Sequence, residues 1–325
     1  DREALVDGEP GNVLKLHDDQ PYHFDAWDID QFYVDRTTSI TDAASIEVVE
    51  EGPVRAGIKI VRRFGSSTLT QVVRLTAGSA RIDFDTDVDW HEKHKLLKTT
   101  FPVAVRSSRA TYEIQHGYLE RTTHTNTGWD EAHFEVCGHR WADLSEPGYG
   151  VALLNDSKYG YRVLGHTFEL SLLRSPTSPD PEADQGQHRF TYSLFPHAGD
   201  LQTAGVVEEG ADLNLPLRAV AVEAGSGTRP ARASVVSFDR PGVVVGALKP
   251  AEDSDDVVLR LYEAHGRRGP VSIRLGLPVA SAHRTDLLER EGDEVAVARD
   301  GEASTIDLAL RPFELVTLKL RPATA

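Results

Sequence analysis

The densest run of side chains able to do chemistry lies near the start of the chain. It reads Phe24-Asp25-Ala26-Trp27-Asp28-Ile29-Asp30, with Phe32 and Tyr33 close behind. Rings interleaved with carboxylates suit a polyhydroxylated ligand: ring faces stack on C–H surfaces while carboxylates accept hydroxyl hydrogen bonds. A partly buried strand with aromatic packing and a solvated acidic face explains the same residues, and both readings stay open. A second group, Asp83, Asp85, Asp87 and Asp89, alternates along one segment. Alternate strand residues lie roughly 6.5–7 Å apart, so neighbouring carboxylates could share a divalent ion, though a solvated outer face is the simpler account. His91, Glu92 and His94 lack the i, i+2 histidine pair that a metal on a strand usually takes. His133 and His139, with Glu131 and Glu135, fall at even spacing on an expected strand and would share one side of it. Asn155-Asp156-Ser157 matches a glycosylation sequon, and residues 155–160 more naturally form a tight hairpin loop with Lys158 and Tyr159 at its tip. The chain has no Gly-rich phosphate loop, G-x-S-x-G elbow or H-E-x-x-H motif. No acid–base pair can be picked from its 51 acidic residues by sequence.

The elements that would position these groups are almost all strands. Val54, Ala56, Ile58, Ile60 and Phe64 share one parity between Gly52-Pro53 and Gly65-Ser66. Leu69, Val73 and Leu75 follow, then Ile82, Phe84, Val88 and Trp90 alternate with the four aspartates. With the segment from Ser45, these predict a four-stranded antiparallel meander, apolar on one face. Strands are further expected at 97–105, 111–120, 133–140, 150–154, 168–173 and 189–195. The proline-rich stretch 175–188 is too long for a hairpin turn. About ten strands before residue 200 suggest a large two-sheet sandwich. A Gly/Ser/Arg/Pro stretch at 223–234 reads as a linker. Six short strands after it (243–248, 257–262, 271–275, 294–298, 305–310 and 315–320) predict a smaller sandwich. The expected organisation is therefore a large sandwich at 1–222, a linker at 223–234 and a small sandwich at 235–325.

Composition narrows the partners. The 325 residues carry a formal charge of −16, which repels a phosphate backbone and argues against nucleic acid. No apolar run approaches the roughly 18 residues of a membrane helix. Cys137 is the only cysteine, which excludes an internal disulfide and a Cys-based zinc site and favours a reducing, cytoplasmic setting. The chain contains no Met and opens Asp1-Arg2-Glu3-Ala4, so further residues are expected before it.

Long segments resemble the C-terminal half of family 38 glycoside hydrolases, the α-mannosidases, in the branch of lysosomal-vacuolar and bacterial cytosolic enzymes. They include Asp25 to Asp30 preceded by Asp19-Gln20-Pro21, Val88-Asp89-Trp90-His91-Glu92 with Leu97-Lys98, and Trp129 to Ala132 leading to His139-Arg140-Trp141-Ala142-Asp143-Leu144. GVALLNDSKYG at Gly150 to Gly160, Leu173 to Thr177, and Pro179-Asp180-Pro181 to Gly186 continue the likeness. Arg260-Leu261-Tyr262-Glu263 and Pro312-Phe313-Glu314 carry it into the last domain.

The resemblance spans the whole chain and implies an all-β fold: a large sandwich similar to galactose mutarotase, entered after its first strands, then a small β-sandwich. It implies a preceding (β/α) barrel as partner, with a zinc ion and a retaining mechanism through an aspartate nucleophile and a second carboxylic acid. No cofactor is expected in this chain, and no catalysis by it alone. Its role would be to support the barrel and to touch a mannose-containing oligosaccharide from the cleft edge; oligomer formation stays open. The cleft candidates are Asp25, Trp27, Asp28, Asn155, Asp156, Lys158 and Tyr159, with Asp184 and His188 in a further loop. A free-standing carbohydrate-binding module is an alternative, as is a mutarotase-type epimerase using His133 or His139 with Glu135.

Overall fold

The computed structural model describes residues 2–323 apart from 224, 226, 228, 229 and 302. It divides into two compact units, Asp1–Ile114 with Leu119–Leu217, and Arg218–Ala325 with Gln115–Tyr118. The expected linker contains residues 224, 226, 228 and 229, which lie outside the described ones. Its other residues form no strand or helix.

The first unit opens with β1 (Val13–Asp18), a 3-10 turn (Gln31–Asp35) and β2 (Thr37–Ile40). The meander follows as β3 (Ser45–Glu51), β4 (Arg55–Phe64), β5 (Ser67–Thr76) and β6 (Ile82–Trp90). Next come β7 (Lys95–Pro102), β8 (Arg109–Ile114), β9 (Gly117–Thr122), helix α1 (Gly128–Glu131) and β10 (Val136–Cys137). The unit closes with β11 (Trp141–Glu146), β12 (Tyr149–Asn155), β13 (Gly160–Leu164), β14 (Thr167–Arg174), β15 (Gly186–Ala198), α2 (Leu201–Ala204) and α3 (Val206–Asn214). Two sheets result: six strands in the order β10-β13-β14-β7-β1-β2, and nine in the order β3-β4-β5-β6-β15-β12-β11-β8-β9.

Alternation decides which face each sheet buries. Leu14, Leu97, Phe101, Phe168 and Leu170 project from the six-stranded sheet into one core with Leu69, Phe84, Val88, Trp90 and Leu153 from the nine-stranded sheet. The back of the larger sheet is partly covered by α3, which packs on β11 and β12. A side chain at Gly210 would meet the Trp141 ring at 2.7 Å, so the helix needs a glycine there.

Several sequence expectations change. Residues 20–30 form turns instead of a strand: Phe24 has φ 56°, and Arg174 donates to the carbonyls of Asp25, Ala26 and Asp28, which no neighbouring strand meets. The stretch 133–140 is not one strand. Thr127 and Asp130 cap each other and start α1, which leaves only Val136–Cys137 to pair. His133, Glu135 and His139 therefore share no face. Residues 111–120 form two strands, turning at His116 with φ 58°. Residues 155–160 are not a hairpin, because β12 lies in the nine-stranded sheet and β13 in the six-stranded one. The segment between them is a corner joining the two sheets.

The second unit is also two-layered, with nine strands among the described residues where six were expected. They are β16 (Val236–Phe238), β17 (Val243–Pro250), β18 (Val257–Glu263), β19 (Gly269–Leu275), β20 (Val279–Thr285), β21 (Glu291–Val295), β22 (Ala298–Asp300), β23 (Ala303–Leu310) and β24 (Leu315–Pro322). The sheets run β16-β19-β23-β22 and β17-β18-β24-β20-β21 around a core that includes Leu259, Ile273, Ile306 and Leu318. The strand β20, VASAHRT, is missed by pattern because its buried positions hold Val279 and Ala282 among polar residues.

Leu153 is fully buried in the large core. Leu153→Ala should cost about 2–5 kcal/mol in chemical denaturation; a loss below about 1 kcal/mol would contradict this placement of the core.

Candidate functional site

The six-stranded sheet keeps an unusual outer face. Register places Lys15 opposite Lys98, Lys98 opposite Ser171, Glu169 opposite Arg162, and Arg174 opposite Leu96. These side chains point away from the apolar core, yet Lys98 is fully buried and His17, Glu169 and Asp19 nearly so. Their roof is the excursion between β1 and β2, together with the segment before β10.

Under that roof the charges are matched. Lys98 Nζ donates to Glu135 and lies 3.6 Å from Glu169 and 3.3 Å from the Tyr33 hydroxyl. Tyr33 donates to Glu135 at 2.5 Å. Glu169 also receives Arg162 at 3.3 Å and Lys15 at 3.7 Å. Burial pushes Glu169 upward, but Lys98, Arg162 and Lys15 together outweigh it and leave the carboxyl below its ordinary range. Burial and the carboxylate of Glu135 push the Tyr33 phenol upward, so it stays a donor.

Arg174, the last residue of β14, fixes the roof. Its guanidinium donates to both oxygens of Asp19 and to the carbonyls of Asp25 at 2.7 Å, Ala26 at 3.3 Å and Asp28. Burial raises the Asp19 carboxyl above its ordinary value, and Arg174 opposes that shift. The other end of the turn is latched by Asp25, whose Oδ2 accepts from the amides of Thr177 and Ser178, both at 2.9 Å.

The turn held this way walls an open groove of about 420 Å³. Trp27, Asp28 and Ile29 form one side, and Glu135, Val136, Cys137, Tyr159 and Gly160 the other. Leu96, Ser171, Leu172, Leu173 and Arg174 make its floor. Trp27 is 75% exposed and Tyr159 47% exposed, so both rings are accessible to a ligand.

Trp27, Asp28 and Tyr159, nominated from segments far apart in sequence, thus line one groove. Asp25 lies behind it, holding the loop. Asn155 is fully buried: its amide donates to the His139 carbonyl at 2.9 Å and to the Tyr161 hydroxyl, and its Oδ1 accepts from the Lys158 amide at 2.6 Å. Asp156, Lys158, Asp184 and His188 gather at the start of β15. There Asp156 accepts from the Thr191 amide at 3.0 Å, and His188 contacts the Asp184 carbonyl at 2.7 Å. Lys158 stacks its ammonium 4.3 Å from the centre of the Phe190 ring. Burial holds that ammonium below its ordinary value against the opposing charges of Asp156 and Asp184. Sequence reasoning missed Arg174 and assigned Glu135 to the wrong setting. The one signal for Arg174 was its place in Leu173-Arg174-Ser175-Pro176-Thr177.

The aspartate row of β6 is engaged residue by residue. Asp83 pairs with Arg81 and Ser193, Asp85 with Arg74 and Thr191, Asp87 with Arg189, and Asp89 with His91. Among the described residues, no three His, Cys, Asp or Glu side chains converge as a metal's ligands would. The zinc implied by the resemblance therefore finds no cradle in these residues, and no chemistry here is routed through it. His133 contacts the Trp129 carbonyl, His139 packs against Tyr159, and Glu135 is committed to Lys98 and Tyr33. An epimerase-type His–carboxylate pair is thus not assembled from them.

Residues 1–182 match the glycosyl hydrolases family 38 C-terminal domain, and residues 242–318 match the glycosyl hydrolases family 38 C-terminal beta sandwich domain. Alpha-mannosidase 2C1 of Homo sapiens is 45% identical over 98% of this chain, and alpha-mannosidase G of Dictyostelium discoideum 38% identical over 96%. The chain spans only 31% and 29% of the lengths of those relatives. The crystal structure of an alpha-mannosidase from Enterococcus faecalis V583 superposes on 95% of this chain, and on 38% of its own, with a TM-score of 0.75. At 16% identity that likeness concerns the fold.

His17 gives the buried roof a pH signature. Burial, and next the Lys98 charge, bring its imidazole from an ordinary 6.5 down to about 4. Between those values the unfolded chain binds a proton that the folded chain refuses, so stability falls as pH drops from 6.5 toward 4. The full loss is about 3 kcal/mol. Unfolding free energies at pH 7 and pH 4.5 should differ more for the natural protein than for His17→Gln; equal differences would contradict the assignment.

Proposed function

The chain belongs to the glycosyl hydrolase family 38 C-terminal domains, and on that premise we propose that it is the supporting, cleft-edge portion of a longer α-mannosidase. In this reading the barrel, its zinc and both reacting carboxyl groups reside in other parts of the polypeptide. The sheets described above carry sugar-contacting loops to the edge of the cleft. The relatives, both named alpha-mannosidases, and the small share of their length that this chain covers support the reading. The single cysteine supports a cytoplasmic setting.

One observation carries the sugar contact: two accessible rings, Trp27 and Tyr159, stand beside Asp28 around one groove. Its volume of about 420 Å³ falls in the range of small-molecule sites. Trp27 would stack on the C–H face of a mannose unit, Asp28 would accept from its hydroxyls, and Tyr159 would border a second unit. Arg174 contributes as a positioning residue, because its donors are spent on the loop carbonyls and Asp19. Lys158, with Asp156 and Asp184, offers a second contact of opposite sign.

The exposure of Trp27 also favours a second reading, a binding module that holds mannosides without the rest of the enzyme. Calorimetric titration of mannosides into residues 1–325 separates the two readings, since only a module binds in isolation.

In the full-length gene product, Trp27→Ala and Asp28→Asn should each lower kcat/KM on an oligomannoside by about tenfold, roughly 1.4 kcal/mol of transition-state binding. If both variants stay within about twofold of the natural enzyme, the groove takes no part in substrate recognition.

A further inference from the structure

Glu135 is held by one end of its carboxylate. Both of its donors, the Tyr33 hydroxyl at 2.5 Å and the Lys98 ammonium, bond to the same oxygen, Oε1. The other oxygen, Oε2, receives no donor among the described residues, yet it is not one of their buried unpartnered atoms. It therefore keeps access to solvent, although the side chain as a whole is only 10% exposed. The open space beside it is the groove, whose wall Glu135 forms with Val136 and Cys137. Backbone pairing fixes that wall, because Val136 and Cys137 lie opposite Tyr161 and Gly160 of β13. Lys98 does not depend on Glu135 alone for a counter-charge, since Glu169 lies 3.6 Å from it.

Asp28, on the facing wall, repeats the pattern. Its Oδ1 accepts from the Ile29 amide at 2.9 Å, while Oδ2 receives no donor among the described residues. Each wall thus offers one carboxylate oxygen anchored by the protein and one left over. The cation on the floor, Arg174, spends its guanidinium on Asp19 and the loop carbonyls and cannot fill either vacancy. A carboxylate oxygen accepts only, so these two positions call for donors. Water supplies them in the empty groove, and a ligand that displaces the water must bring its own.

We propose that Glu135 is a specificity-determining contact whose Oε2 accepts from a hydroxyl of the sugar unit stacked on Trp27, from the wall opposite Asp28. Lys98 and Tyr33 are the positioning residues that aim it. The ligand class this names is a neutral polyol with hydroxyl donors directed to both walls; an anionic sugar would meet two acceptors. The inference rests on the reading of the groove as a sugar contact and adds to it a residue that looks, from its buried partners, purely structural.

Glu135→Gln tests it at almost constant shape. Lys98 can only donate, so the amide turns its oxygen toward Lys98 and its NH2 toward the groove, which replaces an acceptor by a donor at that one point. In the full-length gene product this variant should raise KM on an oligomannoside about tenfold and leave kcat within about twofold, as expected for lost uniform binding through a charge-assisted hydrogen bond. Singly deoxygenated oligomannosides locate the partner. Removing one particular hydroxyl should raise KM about tenfold for the natural enzyme and less than about twofold for Glu135→Gln, because the two changes delete the same contact. Losses that are equal in both enzymes at every hydroxyl would overturn the inference, as would a KM for Glu135→Gln within about twofold of the natural value. The groove reading fails separately. If Trp27→Ala and Asp28→Asn lower kcat/KM while Glu135→Gln does not, only the role of Glu135 is lost; if all three are silent, the groove binds no sugar and both readings fall. Should Glu135→Gln not fold, Glu135→Asp keeps the charge beside Lys98 and withdraws the carboxylate from the groove by one methylene. It should lose the same hydroxyl discrimination, and natural discrimination in that variant would overturn the inference.

Discussion

Arg174 stands where β14 leaves the sheet, and its guanidinium reaches a carboxylate and three carbonyls that belong to a turn about 150 residues earlier. The guanidinium fork suits this task because planar, diverging N–H groups can serve several acceptors at once, which an ammonium does less well. Asp19 supplies the matching charge at 1% exposure. Without this contact the carbonyls of Asp25, Ala26 and Asp28 would need water, the turn would lose its path, and Trp27 and Asp28 would no longer face Tyr159. The groove therefore depends on one partly buried cation, Arg174, that holds its wall in place.

The same outer face explains why the six-stranded sheet carries so many charges where a second apolar layer might have been expected. Lys15, Lys98, Arg162, Glu135 and Glu169 form a network in which each buried charge has a partner. Such a network adds little net stability compared with hydrophobic packing, because desolvation consumes much of the attraction. It does set register: a one-residue slip of the roof would strand Lys98 without Glu135. This sheet thus uses apolar contact on its inner face for stability and ionic contact on its outer face to fix the loops that cross it.

Much of the fold was legible because alternation is a local signal. Asp83, Asp85, Asp87 and Asp89 between Ile82, Phe84, Val88 and Trp90 defined β6, and the three turns before it defined the meander. Long-range acceptors were not legible. Nothing in Phe24 to Asp30 announces that Arg174 will take its carbonyls, so a turn resembled a strand. Nothing local in Asn155 to Gly160 shows that the chain changes sheets there. The candidate site was half legible: ring and acid content pointed to Trp27 and Asp28 and the family resemblance to Tyr159, all three of which line the groove, whereas Asp25 and Asn155, equally polar, serve the fold. Local composition does not separate an acid that faces solvent from one that latches a loop.

Membership in the family 38 C-terminal domains, a large sandwich with a charged and roofed outer face, and a groove edged by accessible rings form one consistent account. On the function proposed above, these sheets would support a reactive centre that other polypeptide supplies. The most direct test compares hydrolysis of an aryl α-mannoside by purified residues 1–325 with hydrolysis by the full-length gene product. Turnover by the full-length protein and none by the shorter one is the predicted result. Turnover by residues 1–325 alone, at a comparable kcat, would contradict the account.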